Sequence, residues 1–256
     1  LGGFVLQKRR VGKTGLDVSV IGLGTVKFGR NQGVKYPASF SLPTDNDIVS
    51  LLSIATDLGV NLLDTAPAYG TSEERLGKLL RNRHSWVISS KVGEEFIDGE
   101  SRFDFSALSI VKSVERSLKR LQTDYLDIML VHSNGDDCRI IEQDNVFAVL
   151  ETLKKDGKIR AYGMSTKTVA GGLLTVDLAD VAMVTYNLDE TGDREVIAAA
   201  HCKQKGIFIK KALRSGHLQK PAADCMRFIL AEPGVTSIIT GTINPEHLRE
   251  NIQAIL

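Results

Sequence analysis

Short runs of aliphatic and β-branched residues recur along the chain at Val18–Leu23, Val60–Leu63, Trp86–Ser90, Leu126–Val131, Ile159–Met164, Val181–Tyr186, Ile207–Ile209 and Ser237–Ile239. Each is almost continuously apolar rather than alternating, which is the pattern of a strand buried on both faces of a parallel sheet. Between them the apolar positions change period. Ile48, Leu51, Leu52, Ala55 and Leu58 across Asp45–Leu58, and Leu108, Val111, Val114, Leu118 and Leu121 across Ser106–Leu121, predict amphipathic helices. The same pattern returns over Asn145–Lys155, Glu195–Lys205 and His247–Ile255. Thr71-Ser72-Glu73-Glu74 has the spacing of a capping box and predicts a helix that ends near Leu80. Asp156-Gly157 and Gly206 read as helix stops just before strands.

Strand and helix patterns in alternation leave two α/β architectures, a closed (β/α)8 TIM barrel or an open doubly wound sheet. An open dinucleotide-binding sheet calls for G-x-G-x-x-G after its first strand. Here that strand leads into Gly22-Leu23-Gly24-Thr25-Val26-Lys27-Phe28, with no third glycine in place. The expectation is therefore a single (β/α)8 barrel domain over residues 1–256, with Lys8–Val18 forming a hairpin, Gly15 at its turn, that plugs the bottom. A chain of 256 residues, 43% hydrophobic and 25% charged, suits one such unit. The net charge of +1 supplies no electrostatic motive for nucleic acid or an anionic membrane. No apolar run reaches the roughly 18 residues of a membrane helix, and Leu1–Arg10 is too short in apolar residues for a signal peptide. Cys138, Cys202 and Cys225 form neither a disulfide framework nor a zinc pattern, and read as reduced thiols of a cytoplasmic protein. The opening Leu1 leaves the expectation that termini or loops extend beyond this sequence.

In a (β/α)8 barrel the reactive groups sit at the C-terminal ends of the strands. Three consecutive predicted strands run into Asp64, Lys91 and His132, and Tyr69 follows Asp64 in Leu63-Asp64-Thr65-Ala66-Pro67-Ala68-Tyr69-Gly70. Singly, each has a plain structural reading: a loop cap, a rim charge, a loop histidine, a packed aromatic. Together they supply carbonyl chemistry. A tyrosine near its ordinary pKa of about 10 is a poor proton shuttle at neutral pH, and a nearby ammonium lowers that value. A carboxylate keeps the ammonium charged and in place, and a histidine can orient and polarise a carbonyl oxygen.

The segments that carry these groups are similar to those of the aldo-keto reductases along nearly the whole chain. Leu62–Glu73 resembles that family's aspartate–tyrosine segment, Ser90-Lys91-Val92-Gly93 its lysine strand, and Leu121–Asp127 with Val131-His132-Ser133 the approach to its histidine. Lys158–Ser165 resembles the strand whose serine meets the nicotinamide carboxamide, and Gly241-Thr242 through Pro245–Asn251 the adenosine-binding end. The resemblance implies an NAD(P)(H)-dependent oxidoreductase that reduces aldehydes or ketones, or oxidises the matching alcohols or sugars. Tyr69 would be the general acid–base, tuned by Lys91 and Asp64, with His132 at the substrate oxygen. It further implies a coenzyme site of Thr25, Ser165, Thr166, Lys210, Leu213, Ser215, Gly216, Gly241, Thr242, His247, Arg249 and Asn251. Val26, Phe28, Phe96 and Ser133 would line the substrate pocket.

Several positions depart from the family pattern. Thr166 stands where an asparagine is usual, Met183 where a glutamine is usual, and Lys210, followed by Lys211, where an aromatic residue often stacks on the nicotinamide. His217–Pro221 is brief where relatives often carry a long loop. Gly241 and His247 replace basic residues that commonly meet a 2′-phosphate, leaving Arg249 as the nearby fixed cation. On that basis NADPH is expected over NADH. Other readings are a Schiff-base lysine at Lys91, which Asp64 disfavours, a metal site, for which the five histidines are too scattered, and a coenzyme-binding redox sensor with incidental turnover. Small aldehydes, sugars and steroid-like ketones all suit the chemistry. Substrate, direction and oligomeric state stay open, and neither a nucleic acid nor a membrane is an expected partner.

Overall fold

The computed structural model describes residues 6–217 and 220–256. Lys8–Arg10 (β1) and Asp17–Ser19 (β2) form the antiparallel hairpin, with Lys8 opposite Ser19. Gly12 and Gly15 turn it at φ of 50° and 80°. Ile21–Gly24 (β3), Val26–Gly29 (α1), Asp45–Asp57 (α2), Leu62–Asp64 (β4), Ser72–Leu79 (α3) and Val87–Val92 (β5) follow. A second hairpin, Glu94–Ile97 (β6) with Glu100–Phe103 (β7), leads to Ala107–Leu121 (α4) and Leu126–His132 (β8). The chain continues through Asp137–Glu142 (α5), Val146–Lys155 (α6), Ile159–Ser165 (β9), Val169–Leu178 (α7), Val181–Thr185 (β10), Arg194–Lys203 (α8) and Gly206–Lys210 (β11). Ala222–Leu230 (α9), Ser237–Thr240 (β12) and Pro245–Gln253 (α10) complete it.

Eight strands close into a barrel in the order β10-β11-β12-β3-β4-β5-β8-β9, with every neighbouring pair parallel. The expected (β/α)8 barrel is thus the observed one. The run Val18–Leu23 divides in two, since Ser19 belongs to the hairpin and Ile21 opens the barrel. Two apolar clusters result. A larger one joins the outer strand faces to the helices, including Leu23, Leu63, Ile88, Val114 and Leu150. The other fills the barrel with Leu62, Val87, Ile128, Leu130, Ala161, Val181, Met183 and Phe208, and is sealed below by Val11, Leu16 and Val18 of the hairpin.

The capping box expected at Thr71 does not form. Thr71 precedes α3 without a side-chain cap bond, while Ser72 Oγ turns inward to Thr25 and Thr65. Glu73 is buried and accepts from Ser90 Oγ at 2.6 Å and from Arg120 at 3.5 Å. A reciprocal box does open α2, where Thr44 pairs with Asp47. Part of the His217–Pro221 connection lies outside the described residues.

Two glycines set the turn that carries Tyr69. Gly70 has φ of 61°, and a Cβ there would sit 2.2 Å from Gly29 O; a Cβ on Gly29 would sit 2.4 Å from Tyr69 O. The end of α1 therefore rests backbone to backbone on this turn. Gly70→Ala is expected to cost at least about 2 kcal/mol, combining a left-handed residue with overpacking. Urea unfolding of the variant measures this, and a midpoint equal to wild type would contradict it.

Candidate active site

Side chains in a strand alternate between the two faces. One step of two residues above the apolar filling therefore brings the next inward position to the barrel mouth. Leu62 is followed by Asp64, Leu130 by His132, Gly163 by Ser165, Met183 by Thr185 and Phe208 by Lys210. Lys91 completes this ring on β5. The register agrees, with His132 opposite Ser165 and Thr185 opposite Lys210. Above the ring opens a cavity of about 1460 Å³, lined by Asp64, Tyr69, Lys91 and His132 among others.

Lys91 and Asp64 are 1% and 3% exposed. Lys91 Nζ donates to Asp64 Oδ1 and Oδ2 at 2.8 and 2.7 Å and to Thr65 O at 2.9 Å, which commits all three ammonium hydrogens. Burial works against this charge, but Asp64 and then Tyr69 outweigh it and hold the ammonium above the usual lysine range. Tyr69 ends a 3-10 turn, Pro67–Tyr69, with Lys91 Nζ 4.8 Å from its ring centre. Burial pushes the Tyr69 phenol up, while Lys91 pulls it down and Asp64 pushes it up again. The lowering expected from Lys91 is therefore present but outweighed, and Tyr69 is a neutral phenol at neutral pH.

The His132 ring lies edge-on to Tyr69, with centres 6.3 Å apart. Its Nδ1 is 2.6 Å from Glu94 Oε2, so the two groups form a close electrostatic pair. Burial lowers the His132 pKa against the raising influence of Glu94. Burial raises Glu94 in turn, but His132 and Ser101 prevail and hold it at about 2.

Along the rest of the mouth, Thr25 is buried and its hydroxyl donates to Asp64 O at 3.0 Å. Ser165 and Thr166 adjoin at the end of β9, and Thr166 Oγ1 is buried without a partner. Lys210 Nζ reaches across to Ser165 Oγ at 2.9 Å and Thr166 O at 2.5 Å. Leu213 and Gly216 line the cavity, as do Gly241, Thr242, His247 and Asn251 at its far end. The Ser215 side chain lies outside the described residues. Val26 also faces the cavity.

Four expected positions point elsewhere. Phe28 is fully buried in the outer core, because α1 packs that face inward. Phe96 lies under the Arg30 guanidinium, 3.4 Å from its ring centre. Ser133, the first residue beyond β8, turns to Asp137 and accepts from Gly135 N at 2.8 Å. Arg249 pairs with Glu246 at 3.3 Å, one turn earlier on α10, and does not line the cavity.

Sequence reasoning passed over Glu94 and Tyr36. Tyr36 belongs to the stretch between α1 and α2, which crosses the mouth. Lys35 O contacts His217 Nε2 at 3.1 Å, a Cβ on Gly241 would lie 2.9 Å from Tyr36 Oη, and Lys27 Nζ sits 4.1 Å from the Tyr36 ring centre. Burial raises the Tyr36 phenol to about 12, with Tyr69 adding to it. The length of this connection, long for a loop inside a compact fold, was the available signal.

Comparison with known proteins agrees with this architecture. The Aldo/keto reductase family profile matches residues 20–210. A solved structure described as "Putative aldo-keto reductase from Pseudomona aeruginosa" is similar at 53% identity and a TM-score of 0.90, over 97% of this chain and 93% of that one. The uncharacterized oxidoreductase YqkF of Bacillus subtilis is 29% identical over 97% of this chain and 91% of its own length. The NADH-specific methylglyoxal reductase of Escherichia coli is 26% identical over 98% and 94%. The profile spans the barrel from its first strand to the end of β11, and the chain belongs to the aldo/keto reductase family of oxidoreductases.

Proposed function

We propose that the protein reduces aldehydes or ketones, or oxidises the corresponding alcohols or sugars, with a nicotinamide coenzyme and with Tyr69 as the general acid–base. The observation that carries this is the convergence of Asp64, Tyr69, Lys91 and His132 on one cavity, with the buried Lys91 ammonium held beside the Tyr69 ring. The coenzyme fits the residues present. Thr166 Oγ1 is an orphaned buried hydroxyl beside Ser165, where a carboxamide would find a partner. Gly24 and Gly241, which carry no side chain, line the same cavity.

Bound there, the coenzyme would exchange a hydride with the substrate carbon. The protein's part is proton handling and orientation. Tyr69, kept neutral by burial, donates its proton to the developing alkoxide. Lys91 stabilises the tyrosinate left behind, and Asp64 keeps Lys91 charged without proton exchange of its own. His132 offers its Nε2 face to the carbonyl oxygen while Glu94 restrains the Nδ1 side. NADPH is the coenzyme proposed over NADH. His247 and Thr242 line the adenosine end near the start of α10, where an anion is favoured. Glu250 on the same wall opposes a phosphate and keeps the preference modest.

Tyr69→Phe should keep the fold and coenzyme affinity but lose carbonyl reduction at least about a hundredfold, the range that general acid–base groups supply. Steady-state reduction of a panel of aldehydes and aldose sugars, with coenzyme titration alongside, tests this; near wild-type rates would remove Tyr69 from the reaction. Because reduction uses the phenol form and burial raises the Tyr69 pKa, the rate should hold through neutral pH and fall only above tyrosine's ordinary value near about 10. Lys91→Met removes the lowering pull. Its rate should drop and its alkaline limb move to still higher pH, whereas a slower enzyme with an unmoved profile would assign Lys91 another role. At the adenosine end, His247→Ala should reduce the NADPH-to-NADH affinity ratio, while Arg249→Ala, already paired with Glu246, should change it less than about twofold. Titration of both coenzymes decides this, and tighter NADH binding by wild type would overturn the preference.

A further inference from the structure

Lys210 occupies a chemically exposed position at the barrel mouth. It is the last residue of β11, and its Nζ donates to Ser165 Oγ at 2.9 Å and to Thr166 O at 2.5 Å. Both acceptors are neutral, unlike the carboxylate that balances Lys91. Among the described residues one ammonium hydrogen remains uncommitted. By donating to Ser165 Oγ, Lys210 also leaves the serine hydroxyl hydrogen free to point at an acceptor in the cavity. Ser165 and Thr166 are the residues to which the proposed coenzyme reading, on which this inference rests, brings the nicotinamide carboxamide. The Lys210 charge therefore sits beside that ring.

The two redox forms of the coenzyme share phosphates, riboses and adenine. They differ at the ring, which is cationic when oxidised and neutral when reduced. A cation a few ångströms away penalises only the oxidised form, and strongly in a site shielded from water. We propose that Lys210 sets the redox preference of coenzyme binding, so that the protein holds the reduced nicotinamide more tightly than the oxidised one and is biased toward carbonyl reduction.

The charge is itself adjustable. Burial, with Lys211 adding to it, brings the Lys210 pKa down to about 7, although part of the side chain stays open to the cavity. Asp137 at the start of α5 and Asp193 just before α8 act in the opposite sense, and Lys167 acts with Lys211. Asp137 is already engaged by Lys167 N, Thr168 N and Thr168 Oγ1 at 2.8–2.9 Å, and Asp193 Oδ2 accepts from Thr185 N at 3.1 Å. His132, across the mouth, feels Lys210 as a repelling charge. The preference for the reduced coenzyme should thus be fullest below neutrality and fade as pH rises through the Lys210 pKa. By linkage, binding the oxidised form should release more proton from Lys210 than binding the reduced form.

The test is calorimetric titration of the full chain with NADPH and with NADP+, at about pH 6 and about pH 8.5, in buffers of differing ionisation enthalpy. Wild type should favour NADPH, with a ratio that shrinks several-fold at the higher pH and with more proton release on NADP+ than on NADPH at the lower pH. Lys210→Met should lower the ratio at least about tenfold at the lower pH and remove its pH dependence. Lys210→Arg, which cannot deprotonate, should keep the ratio at both pH values. His132 and Tyr69 are present in all three proteins and serve as the internal control. Lys210→Met that weakens both forms equally, or leaves the ratio unmoved, would overturn the role of Lys210 while sparing the coenzyme reading. Failure of wild type to bind either form, or NADH and NAD+ in their place, would overturn the coenzyme reading and this inference together.

Discussion

The buried ion pair of Lys91 and Asp64 is the interaction around which the mouth of this barrel is arranged. An ammonium removed from water is costly unless its hydrogens and its charge are both answered. Here the carboxylate takes two hydrogens and the Thr65 carbonyl the third. The pair ties β4 to β5 at their C-terminal ends and holds the backbone just before the Tyr69 turn. The Gly29 and Gly70 contact then fixes that turn from outside. Tyr69 is thereby positioned from two directions, at the wall of the cavity.

Electrostatics divide the mouth unequally. On one side Lys91 is neutralised by Asp64, and His132 is paired with Glu94. On the other, Lys210 donates only to neutral oxygens among the described residues, with Lys211 and Lys167 nearby. The first side is preset for proton handling, because its charges are locked by partners within the protein. The second is left responsive, because among the described residues no carboxylate hydrogen-bonds its charge, which sits where burial has already weakened its hold on a proton. A barrel interior permits this asymmetry, since inward positions of non-adjacent strands meet at the mouth while their flanking residues face different helices.

Much of the fold was legible in the chain. Continuous apolar runs and helical periodicity identify the eight strands, and the period of two within each strand places Asp64, Lys91 and His132 on the inward face. Other elements left weak traces. α7, Val169–Leu178, is too evenly apolar to show a face, and the β6–β7 hairpin carries no apolar alternation strong enough to stand out from a loop. The Thr71 box misled because Glu74, the residue that would reach back to complete it, pairs instead with Arg120 Nε of α4 at 3.1 Å, and a side chain drawn to a tertiary partner is no longer free to cap its own helix.

The sequence by itself determined the architecture and the identity of the four converging groups, because strand periodicity and the position of each polar residue after an apolar run are local properties of the chain. Tertiary structure alone decided the rest. Phe28 and Phe96 differ from Val26 only in which neighbours the folded chain supplies, a core in one case and the Arg30 guanidinium in the other. Glu94 meets His132 across a separation of 38 residues, and Tyr36 crosses the mouth toward Gly241. The net rise in the Tyr69 pKa follows from burial exceeding the pull of Lys91, a balance that depends on how closely the barrel packs and on no residue spacing.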